Sequence, residues 1–110
     1  MTPSEFRQRA LSLPEALEGS HMGHSDFRVG GKIFATLGYP DDAHAVLILP
    51  PADQSDYVMA APSVFSSVQG AWGKGGATQV RLAVVTDTTM EAALVSAWRK
   101  RAPKRLVEES

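Results

Sequence analysis

The chain has 110 residues, 44% of them hydrophobic, with a formal net charge of −1. This length predicts a single domain over residues 1–110, and the charge excludes a strongly basic protein that would coat nucleic acid or a membrane surface. The absence of cysteine excludes disulfides and thiol chemistry. Because neither a secretion signal nor a membrane-length apolar segment is recognisable, we expect a cytoplasmic protein that has no membrane partner.

The first residues predict a helix. Thr2 can cap it, Pro3 suits its first position, and Glu5 stands where a capping box requires an acid. Pro14 is expected to end this helix, because proline cannot continue the hydrogen-bond ladder. Residues 15–23 fit a helical turn or a ragged edge strand, and we favour a short strand over about 19–22.

A β-hairpin is the clearest signal in the sequence. Gly30 and Gly31 separate two extended runs, at 25–29 and 32–37, and tolerate the positive φ that a two-residue turn demands. Strict alternation along the second run would place Phe34 and Thr36 on one side of the strand, and residues 33, 35 and 37 on the other. The apolar run at 45–49 is expected to be a central strand.

The second half of the chain predicts two helices and two strands. We expect a helix at 53–61 capped by Asp53, strands at 64–69 and 78–85, and a glycine-rich loop at 70–76. A capping box formed by Thr88 and Glu91 predicts a last helix that runs to about Arg101. Its apolar stripe consists of Met90, Leu94, Ala97 and Trp98.

The resulting order is helix, three strands, helix, two strands, helix. Antiparallel hairpins and one-sided alternation favour an α+β fold in two layers, with a five-stranded antiparallel sheet and the helices on one face.

Four stretches of the sequence carry a family resemblance: residues 27–37 (FRVGGKIFATL), 72–73, 97–99 and 102–106. Together they resemble the MmcQ/YjbR-like family of small bacterial proteins. The resemblance implies a two-layer fold like that of type III secretion chaperones and similar to the frataxin-like fold. Family members are commonly labelled DNA-binding. Because the family brings no catalytic residue and no cofactor, we expect a non-enzymatic protein without a cofactor.

Two features are candidate contacts to nucleic acid. Five of the eleven cations fall within residues 99–105, and the glycine-rich loop offers an indole and an ammonium. The cations could lie along phosphates while the indole stacks on a base. The predicted contacts are Trp72, Lys74, Arg99, Lys100, Arg101, Lys104 and Arg105. They form one joint site only if Trp72 and Lys74 lie beside Arg101 and Arg105.

Simpler interpretations stand beside this one. The cations also suit a solvated helix terminus that complements the helix dipole, and Trp72 could cover an open edge of the core. His21 and His24, with Asp26 nearby, have the residue types of a metal site. We expect no metal there, because two such positions in a strand would point to opposite sides.

The sequence therefore supports two main hypotheses. The first is weak, sequence-independent binding of DNA or another nucleic acid. The alternative is a chaperone-like adaptor for another protein, in which a sheet face or edge takes up a partner segment, and the oligomeric state stays open. An enzyme that uses the glycine loop and Lys74 to hold a small anion is a third, weaker interpretation.

Overall fold

The computed structural model describes residues 1–109, which form six strands and five helices. In chain order these are α1 (Pro3–Leu11), β1 (Leu17–His21), β2 (His24–Val29), β3 (Lys32–Leu37), β4 (His44–Ile48), α2 (Pro51–Ala60), β5 (Phe65–Ser67), α3 (Ala71–Lys74), β6 (Ala77–Arg81), α4 (Asp87–Arg101) and α5 (Lys104–Glu109). One sheet holds the strands in the order β1-β2-β3-β4-β6-β5, and every neighbouring pair is antiparallel. The predicted α+β class with an antiparallel sheet is confirmed.

The main hydrophobic core lies between one face of the sheet and four of the helices. The predicted apolar stripe of α4 is buried along its whole length, and Phe6 of α1 packs edge-on against Phe27 of β2. Trp98 donates its indole hydrogen to the carbonyl oxygen of Pro14, 3.0 Å away. Helices α2 and α5 add Tyr57 and Leu106 to the same core. The opposite face of the sheet carries α3 and is otherwise open to solvent, so the prediction that the helices lie on one face holds for four of the five helices.

Local signals located the first helix and the hairpin between β2 and β3 correctly. The capping box of Thr2 and Glu5 is present in both directions at the start of α1. Gly30 and Gly31 have φ values of 60° and 78° between β2 and β3, where Val29 pairs with Lys32. The Gly-Gly connection therefore reverses the chain as predicted.

The sheet has six strands, and the count of five was wrong. The additional strand is β1, which overlaps the short strand favoured at about 19–22 but omitted from the count. It pairs with β2 and contains few apolar side chains. This segment is a strand because it pairs with β2, and not because of its own hydrophobic pattern. The strand predicted at 64–69 is shorter than expected and lies at the far edge of the sheet as β5.

A β-bulge in β3 changes which side chains enter the core. Phe27 pairs with Ala35 and Arg28 pairs with Ile33, so Phe34 is an extra residue on its strand. The bulge turns the Phe34 ring into the main core together with Ala35. The strict alternation predicted for this strand was therefore wrong at Phe34, which enters the core, and at Ile33, which lies with Thr36 on the other face.

Other boundaries differ where tertiary contacts outweigh local patterns. Helix α4 is capped by Thr86, which accepts a hydrogen bond from the amide of Thr89, so the box predicted from Thr88 does not form. Helix α2 begins at Pro51, and Asp53 accepts a hydrogen bond from Ser96 instead of capping the helix.

Within residues 1–109, no helix is both long and apolar enough to cross a membrane.

Candidate functional site

A groove of about 480 Å³ runs over the open face of the sheet, opposite the main core. Strands β2, β3 and β4 form its floor, α3 contributes one wall, and the last residue of α4 reaches in from the end. Its lining consists of His21, Arg28, Gly31, Lys32, Ile33, Thr36, Ile48, Trp72 and Arg101. The groove thus combines cationic, hydroxyl and aromatic side chains.

A smaller hollow of about 280 Å³ adjoins the groove and shares His21, Thr36 and Trp72 with it. The rings of Tyr39 and Trp72 meet edge to face, with centroids 5.5 Å apart. Met22, at the β1–β2 turn, also lines the hollow and is 92% exposed. Aromatic and thioether walls make this hollow mostly apolar.

The charge network under the groove centres on Asp26, whose side chain is fully buried. Arg28 donates from Nε to Oδ1 at 2.7 Å and from Nη2 to Oδ2 at 3.0 Å, and Nδ1 of His21 lies 2.8 Å from Oδ2. These hydrogen bonds, chiefly those from Arg28, hold the pKa of Asp26 below its usual value although burial opposes the shift. The same pairing raises the pKa of Arg28.

Net positive charge in the groove comes from two other side chains. Asp26 offsets Arg28, whereas Lys32 and Arg101 have no ion-pair partner within residues 1–109. His21 adds a charge only when its imidazole is protonated. The Nε atom of Arg101 is buried and finds no hydrogen-bond partner in the described part of the chain. The groove is therefore suited to anions.

Tight backbone packing positions Trp72 at the groove. Residues 70–76, predicted as a loop, contain the short helix α3, and its Gly73 lies against the chain at Val68. A Cβ on Gly73 would stand 1.5 Å from the Val68 carbonyl oxygen, so only glycine fits.

Lys100 donates to the carbonyl oxygens of Leu49 at 3.1 Å and Gly75 at 2.8 Å. Partial burial, more than the nearby Arg101, lowers the pKa of Lys100.

The structure brings together two of the seven residues that the sequence predicts as nucleic-acid contacts, Trp72 and Arg101. Lys74 and Arg99 are exposed but do not line this groove. The condition for a joint site is therefore met only in part, because Trp72 lies beside Arg101 whereas Lys74 and Arg105 do not line this groove. Their contact with nucleic acid stays a prediction.

The remaining predicted cations have other neighbours. Arg105 forms a two-pronged ion pair with Glu15, at 3.0 and 3.1 Å. That pairing raises the pKa of Arg105 and lowers that of Glu15. Lys104 is 89% exposed in its side chain and lies 3.8 Å from Glu108. Lys100 donates to two backbone carbonyl oxygens, and its role there is structural.

Sequence reasoning missed most of the groove floor. Arg28 lies on β2 and Lys32 and Thr36 lie on β3, and only the register of the two strands brings them to one face. The pair of histidines was also misplaced: His21 is paired directly opposite His24 across a tight turn, so both face the same side. Recognising the turn at residues 22–23 would have corrected that expectation.

Comparison with known proteins identifies the fold. A family model described as YjbR matches residues 11–100. Among solved structures, the chain is similar to the crystal structure of Deinococcus radiodurans protein DR2400, a DUF419 domain, with a TM-score of 0.79 and 19% identity. That alignment covers 98% of this chain and 86% of the other. No curated protein matches the chain.

Proposed function

This chain belongs to the YjbR family, and we propose that it binds single-stranded nucleic acid weakly, without sequence preference, in the groove on the open face of its sheet. The observation that carries the proposal is that Trp72 shares this groove with Lys32 and Arg101. One aromatic surface and two cations without acidic partners are the side chains that a nucleic-acid strand needs.

Each of these side chains has a separate task. The ring of Trp72 is 42% exposed and stands against Tyr39, so one unstacked base can lie on its free face. Lys32 and Arg101 neutralise phosphates on either side of that base and release counterions. Because every base has a π-face, such a site tolerates any sequence. A duplex, whose bases are already stacked, would offer Trp72 nothing to bind.

We place this protein among binding proteins rather than enzymes. The groove presents arginine and lysine side chains, which hold phosphate by charge-assisted hydrogen bonds, and no carboxylate is among its described lining residues. Asp26, the carboxylate bound to the groove residues Arg28 and His21, is occupied by these two partners. Its lowered pKa keeps it ionised and hydrogen-bonded, which is unfavourable for a general acid at neutral pH.

Salt dependence with two variants tests the proposal. For two phosphate contacts to a labelled single strand, the logarithm of affinity should fall with the logarithm of salt concentration with a slope of about −1.4. Arg101→Gln should reduce the size of that slope by about 0.7. Trp72→Ala should cost about 1–3 kcal/mol of binding free energy and leave the slope unchanged. Fluorescence anisotropy at several salt concentrations measures both quantities.

A matched control removes one charge from the other side of the molecule. Arg9 lies on α1 in the helix layer, where it forms ion pairs with Asp87 and Glu91. Arg9→Gln makes the same charge change as Arg101→Gln, and we expect it to leave the salt slope unchanged. Undetectable binding at low salt, or equal slopes for Arg9→Gln and Arg101→Gln, would contradict the proposed site.

A specific observation also favours the adaptor hypothesis. Strand β1 forms one edge of the sheet, and its outer backbone groups have no neighbouring strand within residues 1–109. Leu17 and Met22, at the two ends of this edge, are both exposed. An extended segment of a partner, or of a second copy, could pair there by strand addition. A stable dimer in sedimentation without affinity for nucleic acid would favour this second function.

A further inference from the structure

Thr36 has an unexplained hydroxyl group. It lies in β3 next to the last residue of that strand, paired with Asp26 on one side and Val46 on the other, and is only 3% exposed. Its Oγ1 is buried and has no hydrogen-bond partner among the residues that the structure describes. Buried hydroxyls are normally hydrogen-bonded, so an unpartnered one that lines a cavity points to a missing ligand atom.

The surroundings of Thr36 define the shape of that ligand. Thr36 lines both the groove and the adjoining hollow, whose other sides are the rings of Tyr39 and Trp72 and the side chain of Met22. A ligand that fits such walls has apolar faces. At the floor lies the Thr36 side chain, whose hydroxyl is buried and is reached by a ligand only when that side chain rotates. A ligand that then pairs with the hydroxyl needs a polar atom at its edge. A planar heterocycle with polar groups on its rim has both properties.

We infer that the hollow takes one unstacked base of the bound strand, with the polar edge of the base hydrogen-bonded to Thr36 Oγ1. This inference rests on the proposed function and adds a specific binding site for the base. The Trp72 ring bounds both cavities, so a base in the hollow leaves its phosphates beside Arg101 in the groove. Because a hydroxyl both donates and accepts, the site requires a base without selecting which one.

The test compares two strands of equal length and equal phosphate count: oligothymidylate and a fully abasic strand. Thr36→Val removes the hydroxyl and keeps the shape of the side chain. We expect this variant to bind oligothymidylate roughly two- to tenfold more weakly, the loss of one hydrogen bond. Its affinity for the abasic strand should be unchanged, and its denaturation midpoint should rise because a buried unpartnered group is gone.

Thr36→Ser is the matched variant, since it keeps the hydroxyl and loses only a methyl group. It should retain the preference for oligothymidylate over the abasic strand, which keeps the test informative should Thr36→Val fold poorly. Equal affinity of wild type and Thr36→Val for oligothymidylate, or equal weakening on both strands, would overturn the inference and leave the proposed function standing. If the wild type bound neither strand, the proposed function itself would fall, and the inference with it.

Discussion

Asp26 shows how one residue links the groove to the stability of the fold. Its carboxylate is buried, and hydrogen bonds from Arg28 hold its pKa below the usual value against the opposing effect of burial. The unfolded chain therefore binds this proton at a higher pH than the folded chain does. The stabilisation is complete above the unfolded pKa of about 3.9 and is lost as the pH falls through the lower, folded pKa.

We therefore predict that the free energy of unfolding, measured with urea from pH 7 down to pH 3, falls as the medium becomes acidic. Asp26→Asn should flatten that fall, because the variant has no proton to take up at this position. Some slope will persist from Asp41 and Glu15, whose pKa values are also lowered. Asp56→Asn is the control at an exposed carboxyl. Should both variants keep the wild-type slope, the assignment of Asp26 is wrong.

At the scale of elements, α3 depends on one glycine. A Cβ on Gly73 would clash with the backbone of Val68, whereas a Cβ on Gly75 would meet its nearest atoms at 3.4 and 3.6 Å. We predict that Gly73→Ala lowers the free energy of unfolding by more than about 2 kcal/mol. Gly75→Ala should change it by less than about 1 kcal/mol. Chemical denaturation measures both, and equal losses would mean that the packing of α3 is not as described.

The elements that could be predicted from the sequence are those fixed by nearby residues. Helix α1 has its own capping box and α4 has its own apolar stripe, so both were located from local signals. Strand β1 has neither, since it exists through pairing with β2. Likewise, four glycines in residues 70–76 indicate a loop, and only the contact of Gly73 with Val68 explains why a helical turn forms there.

The site was predictable to the same extent and for the same reason. Trp72 and Arg101 stand out in the sequence, because a tryptophan in a glycine-rich segment and a cluster of cations are visible without any structure. Arg28 and Thr36 do not stand out, and Lys32, which follows the Gly-Gly turn, is most simply explained from the sequence as a residue that keeps the hairpin soluble. They reach the groove through strand register and the bulge at Phe34, which depend on contacts between distant parts of the chain.

For the molecule as a whole, Lys100 connects its two sides. It belongs to α4, which packs on the core face of the sheet, yet its ammonium binds carbonyl oxygens of Leu49 after β4 and of Gly75 after α3. Its neighbour Arg101 enters the groove directly. The segment that carries Trp72 is therefore attached to α4 through Lys100 and to α2 through Gln54, whose Nε2 donates to the carbonyl oxygen of Gly73 at 3.0 Å. The position of the stacking surface depends on both attachments.

We predict that Lys100→Met, which keeps the aliphatic stem and removes the ammonium, lowers the free energy of unfolding by about 1 kcal/mol. Amide hydrogen exchange at residues 73–76 should accelerate, because the segment loses its attachment to α4. Binding of a single strand should weaken as well, since Trp72 is then less well positioned. Lys104→Met makes the same change on an exposed side chain and should alter stability by less than about 0.5 kcal/mol. Faster exchange in both variants, or in neither, would show that Lys100 does not hold the two sides together.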